Sequence, residues 1–290
     1  MVVAIPVNMT RKHARDVAVN VCREFKRLGV TVLMAEELKT DFSDCQVSFC
    51  GEKECIEGCD FVISIGGDGT IIHTSNAASL YNKPVLGINA GRLGFLAGIE
   101  KTELYLLERL ITGEYTVENR MRLSVRHFEG DRLINEYTCL NDVVIARGSS
   151  LHMCEIEARS NSRLLYNYLA DGLIVATPTG STAYSLSSGG PIVDTDIESI
   201  ILTPISNHSL FSRSIIFKPE SVIEFSVKNC GSCDAVMSCD GEKGVALTEN
   251  TRIIVTKSET PTKIVKIKSD NFSDILNRKL TKRFNCQQGE

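Results

Sequence analysis

The first hundred residues alternate between short apolar runs and stretches whose apolar positions repeat with a helical period. A strand that is covered on both faces reads as continuously apolar, so the runs predict strands at residues 2–7, 30–35, 61–65 and 84–89. Helices are predicted from Arg11 to Leu28, ending at Gly29, and from Thr70 to about Leu80. Strands and helices in alternation predict an α/β domain with an open parallel sheet.

After about Glu118 the apolar runs become shorter and alternate with polar residues, and Gly, Asn, Asp and Ser separate them. This pattern predicts a mainly β second domain. The last segment has its apolar residues on one side and predicts a short amphipathic helix. We therefore expect an α/β domain over residues 1–118 and a β-rich domain over 119–270. The C-terminal segment, 271–290, is expected to pack back on the first domain.

Composition and charge narrow the class of protein. The chain has 290 residues, of which 43% are apolar and 23% charged, as in globular proteins. The net charge of −4 gives no reason to expect a nucleic-acid partner, and any phosphate site must be built from local groups. No apolar run has the length of a membrane span, and the start lacks the features of a signal peptide. We expect a cytoplasmic protein with no membrane partner.

Eleven cysteines are many for a chain of this length. Four are closely spaced within residues 45–59, and a lone C-x-x-C occupies residues 230–233. A reducing compartment favours free thiols. The alternative is a metal or iron–sulfur site, but zinc ligands usually come as two closely spaced pairs, which the spacing at 45–59 does not match. We therefore assign no metal site.

The predicted strand at 61–65 runs directly into Gly66-Gly67-Asp68-Gly69-Thr70. Glycines allow close approach of the backbone to a ligand, and the N–H groups at a helix start bind phosphate. Asp68 would lie at the carboxyl end of a parallel strand, where open α/β sheets bind ligands. The alternative is a tight turn in which Asp68 only caps the helix. No Gly-Lys-Ser/Thr follows, so the turn is not a Walker loop.

A second glycine-rich turn, from Asn89 to Ala97, follows the next predicted strand. We consider Asn89, Gly91 and Arg92 as phosphate-binding residues, because an arginine can hold a phosphate with two hydrogen bonds. The alternative is a packing loop with its Phe and Leu in the core. Two such turns at the ends of successive strands favour a phosphate site more than either turn alone.

The segment 170–191 contains a strand that ends in a Pro/Gly turn rich in hydroxyl groups, followed by a short helix. Small residues at 179–183 leave room for a flat ligand, and hydroxyl and N–H groups supply hydrogen bonds. Tyr184 could pack against a base or a ribose. The alternative is a helix start capped by Ser or Thr, with Tyr184 as a core aromatic.

These motifs together resemble the ATP-NAD kinase family, in order and in spacing, over nearly the whole chain. They are Gly66–Thr70, the turn at 89–96, Asn141-Asp142 and the segment from Asp171 to Pro191. The first motif is shared with lipid kinases of the diacylglycerol type, whereas the last is specific to NAD kinases. The resemblance implies an N-terminal α/β domain, a C-terminal β domain and NAD between them.

The resemblance also implies an activity. ATP, with Mg²⁺ or another divalent cation, would phosphorylate the 2′-hydroxyl of the adenosine ribose of NAD. Asp68 would face that hydroxyl as the catalytic base, and the triphosphate would lie on Gly66, Gly67, Gly69, Thr70 and the turn at 89–92. The family forms homodimers and homotetramers. Some members use polyphosphate in place of ATP.

We assign NAD contacts to residues of both domains: Asp68, Gly69, His73, Asn141, Asp142, His152, Asp171, Thr182, Ala183, Tyr184, Ser187 and Glu242. By resemblance, the pair at 141–142 contacts a ribose. Asp171 falls near the nicotinamide end, often across a subunit boundary, and the residues at 182–187 fall on the adenine side. His73 falls where the family often has a basic residue.

The chain departs from the family pattern at three positions. Asp142 replaces the usual Glu, Glu242 replaces the usual Gln after Asp240-Gly241, and Asn rather than Pro precedes His208. Two other functions remain open at the level of the sequence. A lipid kinase shares the Gly66–Thr70 motif, but the segment 171–191 argues against it. A non-catalytic dinucleotide-binding regulator would need no carboxylate at the position of Asp68.

Overall fold

The computed structural model describes residues 1–10, 14–91, 94–149, 151–208, 213–228 and 234–287. The chain forms two compact units. The first contains residues 1–119 and 262–290, and the second contains residues 120–261. The chain therefore leaves the first unit, forms the whole of the second, and returns.

An eight-stranded sheet is the centre of the first unit. Its strands, numbered along the chain, are β1 (Val2–Ala4), β2 (Thr31–Ala35), β3 (Ser48–Cys50), β4 (Phe61–Gly66), β5 (Val85–Asn89), β6 (Ile99–Glu100), β7 (Thr116–Arg120) and β20 (Thr262–Lys266). The spatial order is β3-β2-β1-β4-β5-β20-β7, with β6 beside β5. The pairings from β3 to β20, and that of β6, are parallel. The carboxyl ends of β4 and β5 therefore lie side by side.

Helices cover both faces of this sheet. They are α1 (Ala14–Arg27), α2 (Glu52–Glu57), α3 (Asp68–Ser79), α4 (Glu108–Thr112) and α6 (Phe272–Gln287), with 3₁₀ turns at Glu36–Leu38 and Leu104–Leu107. In β4, Ile63 packs in one core cluster with Phe25 of α1. The preceding residue, Val62, points to the opposite face and packs in another cluster with Ala78 of α3. Burial on both faces explains why β4 is continuously apolar.

Two antiparallel sheets of six strands form the second unit. One has the order β15-β14-β13-β10-β17-β18 and the other the order β12-β11-β16-β19-β8-β9. The strands are β8 (Leu123–Glu129), β9 (Arg132–Cys139), β10 (Asp142–Ala146), β11 (Cys154–Ser160), β12 (Arg163–Ala170), β13 (Gly172–Ala176), β14 (Ile200–Ile205), β15 (Ile215–Phe217), β16 (Ile223–Lys228), β17 (Val236–Cys239), β18 (Val245–Ala246) and β19 (Thr251–Lys257).

The core of the second unit lies between its two sheets. Val143 and Leu173 from one sheet and Val125 and Ile156 from the other belong to a single buried cluster. After β13 the chain forms a 3₁₀ turn, Gly180–Thr182, and the one-turn helix α5 (Tyr184–Ser187). In strands such as β8 and β11, the alternation of apolar and polar residues reflects one buried face and one less buried face, whereas β13 is buried on both faces.

The expected fold class is confirmed: a mostly parallel α/β unit is followed by a unit of antiparallel sheets. The strand β20 differs from expectation, because the pattern grouped it with the second half whereas it pairs with β5 in the first unit. The strand β14 was not expected from the pattern either. The pattern of a strand reports which faces are covered, but not which sheet it joins. No helix in the described ranges has the length and apolar character needed to cross a bilayer.

Candidate functional site

The turn between β4 and α3 determines the position of Asp68. Gly67 is the N-cap of α3 and Asp68 is the first helical residue. The carboxylate of Asp68 accepts hydrogen bonds from the backbone N–H groups of Phe95, at 2.7 Å, and Leu96, at 3.1 Å. The side chain therefore reaches across to the loop after β5, and the interpretation of Asp68 as a simple helix cap is wrong.

At two positions in this region, a Cβ atom would clash with a neighbouring side chain, so glycine is needed there. A Cβ atom on Gly94 would lie 2.0 Å from Oδ1 of Asp68, and one on Gly66 would lie 2.6 Å from Oγ1 of Thr70. In contrast, a Cβ atom on Gly69 would meet nothing within 4 Å. The first turn of α3 is therefore packed on the side of the strand and open at Gly69.

The second glycine-rich turn is held by Asn89, which is buried at the end of β5. Its Nδ2 donates to Oε2 of Glu100 at 2.9 Å, and its Oδ1 accepts from the N–H of Gly91 at 3.0 Å. The N–H of Ala90 donates to the carbonyl of Gly66 at 3.2 Å, which joins the two turns. Arg92, the predicted phosphate ligand, lies outside the described residues. His73 is exposed on α3.

In the second unit, the carboxylate of Asp240 organises the pair Asn141-Asp142. It accepts hydrogen bonds from the backbone N–H groups of Leu140, Asn141 and Asp142, at 2.8, 2.7 and 3.1 Å. Asp240 and Gly241 both have positive φ, 48° and 74°, which forms the sharp turn that brings this carboxylate back to β10. This role of Asp240 was not predicted from the sequence, although the Asp-Gly pair is a signal for such a turn.

Asp142 itself is buried beside Asp240. Burial first, and the negative charge of Asp240 second, raise the pKa of Asp142 from 3.8 to about 7. The neighbouring Asn141 has a buried side-chain oxygen that accepts no hydrogen bond from the described residues. A buried acceptor without a donor is uncommon in proteins and calls for a ligand or water. The side-chain oxygen of Asn141 is therefore an unsatisfied acceptor among the described residues.

The turn after β13 closes directly on Asn141. The N–H of Thr177 donates to the carbonyl of Asn141 at 2.8 Å, and the N–H of Gly180 donates to Oγ1 of Thr177 at 3.1 Å. A Cβ atom on Gly180 would lie 2.1 Å from the carbonyl oxygen of Asn141. Two predicted segments of the second unit, 141–142 and 177–187, are therefore neighbours.

The predicted residues at 182–187 differ in exposure. Thr182 is buried and its hydroxyl donates to the carbonyl of Thr179 at 3.3 Å. Ala183 is half-buried, and Ser187 is exposed. The side chain of Tyr184 is 46% exposed, so the alternative in which Tyr184 is a core aromatic is wrong. Tyr184 is therefore a partly exposed aromatic residue beside small residues.

Asp171 lies between β12 and β13 and forms an ion pair with Arg147, with 2.8 Å between Oδ1 and Nε. The N–H of Arg147 also donates to the carbonyl of Asp171 at 2.9 Å, so the pair is positioned by the backbone. His152 and Glu242 are exposed. The carbonyl of Glu242 accepts from the hydroxyl of Ser238 at 2.6 Å, which holds the turn after β17.

The cysteines differ in one respect from expectation. Cys50 and Cys55 form a disulfide, where free thiols were predicted. The free cysteines among the described residues are Cys22, Cys45, Cys59, Cys139, Cys154 and Cys239. Cys230 and Cys233 lie outside the described residues. Within the described part of the chain, no three His, Cys, Asp or Glu side chains are grouped as a metal site.

Comparison with known proteins matches both units. The profile of the ATP-NAD kinase N-terminal domain matches residues 3–115, and that of the ATP-NAD kinase C-terminal domain matches residues 140–267. The chain is 44% identical to an NAD kinase of Caldanaerobacter subterraneus subsp. tengcongensis over 225 residues, which are 77% of this chain and 79% of the relative.

Two solved structures are also similar over almost the whole chain. The yeast NADH kinase complexed with NADH is 25% identical, with a TM-score of 0.85 over 97% of this chain and 87% of the other. An NAD kinase from Archaeoglobus fulgidus in complex with ATP is 27% identical, with a TM-score of 0.73 over 96% of each chain. Both the sequence and the fold therefore place the chain among these enzymes.

The raised pKa of Asp142 makes stability depend on pH. Between pH 3.8 and about 7, the folded protein binds more protons at this residue than the unfolded chain does. The free energy of unfolding therefore falls as pH rises through this window. We expect Asp142→Asn, which stays neutral, to remove this contribution and to be more stable than the wild type at pH 8, by about 1–4 kcal/mol.

Urea unfolding at several pH values between 4 and 8 measures this effect. Asp131→Asn removes an exposed carboxylate from the turn between β8 and β9 and serves as the control. Its stability should follow the pH dependence of the wild type. An Asp142→Asn variant whose curve runs parallel to that of the wild type would contradict the assignment.

Proposed function

The chain belongs to the ATP-NAD kinase family, and we infer that it is an NAD kinase, which phosphorylates NAD with ATP and releases NADP and ADP. The observation that carries this conclusion is the match of both family domains, in order, to the two units of the chain. The acceptor is the 2′-hydroxyl of the adenosine ribose, the position at which NADP differs from NAD.

We propose that Asp68 is the base for this hydroxyl. Phosphoryl transfer has a loose transition state, so an enzyme acts mainly by positioning the reactants and neutralising charge. The two N–H groups from the loop after β5 fix the direction of the Asp68 carboxylate. Each carboxylate oxygen has a second lone pair that can accept the hydroxyl hydrogen. Asp68 would orient the 2′-oxygen for in-line attack on the γ-phosphorus and accept its proton as the new P–O bond forms.

The donor phosphates are proposed to lie at the first turn of α3. The amino end of a helix attracts anions through its N–H groups and dipole. Gly69 presents open space there, and Gly91 is exposed on the adjoining turn. Gly66, Gly67 and Thr70 shape this turn, and Asn89 holds the second one. Mg²⁺ would enter as the complex with ATP, because this ion is usually bound through substrate phosphates and one or two carboxylates.

In the second unit, we propose that Asn141, Asp142 and Tyr184 are the main contacts of NAD. The buried oxygen of Asn141 suits a ribose hydroxyl, which can donate to it. Asp142 is one methylene shorter than the family's usual Glu, so it would reach the ribose at longer range or through water. The exposed ring of Tyr184 suits stacking on a base.

The remaining candidates take outer positions in this proposal. Thr182, Ala183 and Ser187 line the adenine side, and the ion pair of Asp171 with Arg147 holds a carboxylate in place for the nicotinamide end. His73, His152 and Glu242 are exposed and would contact the dinucleotide at its edges.

We propose that the enzyme is a homodimer or homotetramer that associates through β12. This strand lies at the end of its sheet among the described strands. Three large apolar side chains on it are exposed: Leu164, Tyr166 and Leu169. Exposed apolar residues clustered on one strand are typical of an interface. Asp171 directly follows this strand, so association would also affect the binding of the nicotinamide end of NAD.

A cytoplasmic location is part of the same proposal. Six described cysteines are free, which is the usual state of thiols in a reducing compartment, whereas the disulfide between Cys50 and Cys55 is the exception. ATP and NAD are both present there as substrates.

Replacing Asp68 by Asn tests the role of the base. We expect kcat to fall by roughly 10²–10⁴-fold, with NAD binding retained, because Asn keeps the size of the side chain but cannot accept the proton. The measurement is NADP formation from NAD with ATP and Mg²⁺. Asp44→Asn, which removes an exposed carboxylate that pairs with Arg15 in the same unit, should keep wild-type turnover. Near-normal kcat in Asp68→Asn would rule out this role.

Replacing Tyr184 by Leu tests the stacking contact. We expect the KM for NAD to rise by about 3–10-fold with little change in kcat, because the lost aromatic contact is made before and during the reaction alike. Tyr105→Leu, an equally conservative change at an exposed position of the first unit, is the control. An unchanged KM in Tyr184→Leu would show that the ring does not contact NAD.

Replacing Leu164 by Glu tests the proposed interface. A charge on the apolar strand should disfavour association, so we expect the main species to shift to a lower mass in sedimentation velocity. Ile197→Glu, at an equally exposed apolar position outside β12, should leave the mass unchanged. A wild-type protein that sediments as a monomer would contradict the proposal directly.

A further inference from the structure

The helix α6 at the end of the chain contacts the loop that holds Asp68. The ammonium group of Lys279 lies over the ring of Phe95, 3.4 Å from the ring centroid. The backbone N–H of the same Phe95 donates the 2.7 Å hydrogen bond to Oδ2 of Asp68. One residue thus connects a cation on the last helix with the carboxylate at the start of α3.

The loop has little freedom on the side of Asp68. Gly94 lies so close to Oδ1 of Asp68 that a Cβ atom would overlap with it. A shift of the loop by even a few tenths of an ångström therefore changes the two hydrogen bonds that fix the carboxylate. The direction of Asp68 depends on where the ring of Phe95 is held.

Lys279 is suited to hold this ring rather than to bind a substrate. Its side chain is only 6% exposed, so a phosphate of ATP has no direct access to it. A cation over an aromatic face is stabilising by about 0.5–2 kcal/mol, and more strongly when water is excluded. Reciprocal hydrogen bonds between Asn271 and Asp274 fix the first turn of α6. Lys279 follows about one turn after Asp274 on the same helix.

We propose that Lys279 is a positioning residue for the phosphoryl transfer, which acts through Phe95 to keep the Asp68 carboxylate aimed at the acceptor hydroxyl. This inference rests on the proposed role of Asp68 as the base. It assigns to the C-terminal helix a part in catalysis that is exerted through the loop after β5.

Lys279→Met is the main test, because it keeps the length and apolar stem of the side chain and removes only the charge. We expect kcat to fall by about 3–30-fold, the range that corresponds to the loss of a cation–π contact. The KM for ATP and the KM for NAD should stay within about twofold. Lys279→Arg retains a cation over the ring and should recover most of the activity.

Arg278→Met is the matched control. It removes a positive charge from the adjacent residue of the same helix. The side chain of Arg278 pairs with Asp270 at 2.6 Å and not with the ring of Phe95. This variant should keep wild-type kcat. An equal loss of kcat in Arg278→Met would mean that any charge removed from the helix has this effect, which would overturn the proposal.

The double variant with Asp68→Asn separates positioning from general stability. If Lys279 acts through the direction of the base, Lys279→Met should have little further effect once the base is absent, so the two losses are not additive. Fully additive losses would overturn the proposal, as would a raised KM for ATP with kcat retained. If Asp68→Asn alone turns over normally, the role of the base fails instead, which is a distinct outcome.

Discussion

The hydrogen bonds from the backbone N–H groups of Phe95 and Leu96 to the carboxylate of Asp68 set the geometry of the first unit's candidate site. They join the turns that follow two neighbouring parallel strands, β4 and β5. Parallel pairing brings the ends of these strands together, and glycine at position 94 allows the approach. A reactive carboxylate at the end of a strand is useful only if its direction is fixed, and here the adjoining loop fixes it.

The second unit has a comparable arrangement built on Asp240. Its carboxylate accepts hydrogen bonds from three backbone N–H groups at the start of β10 and so fixes the backbone of Asn141 and Asp142. In each unit a carboxylate that binds backbone N–H groups sets the geometry of a candidate site. The two carboxylates differ in their roles. Asp68 is itself the proposed base, whereas Asp240 shapes the backbone for its neighbours, and its charge adds to the effect of burial in raising the pKa of Asp142.

The net charge of −4 explains why the site relies on geometry. A net negative charge gives no overall attraction for a triphosphate or a dinucleotide. In the proposed site, the helix start, the open glycine at position 69 and the cation that would enter with ATP supply the local attraction instead. In such a site small displacements matter, because hydrogen bonds from backbone groups lose strength quickly as distance and angle change.

The sequence alone determined the fold class, because continuous apolar runs and alternating runs report directly how many faces of a strand are covered. It also pointed to both glycine-rich turns, since those motifs are local in the chain, whereas the pair Asn141-Asp142 was indicated only by the resemblance to the family. Only the tertiary structure decided that β20 joins the first sheet, that Asp68 binds the loop after β5, and that Asp240 organises β10. It also decided the contact of Lys279 with Phe95 and the disulfide between Cys50 and Cys55. Most of these are contacts between residues far apart in sequence, and the disulfide depends on where β3 and α2 place two side chains. A local pattern carries no information about which distant groups the folded chain brings together.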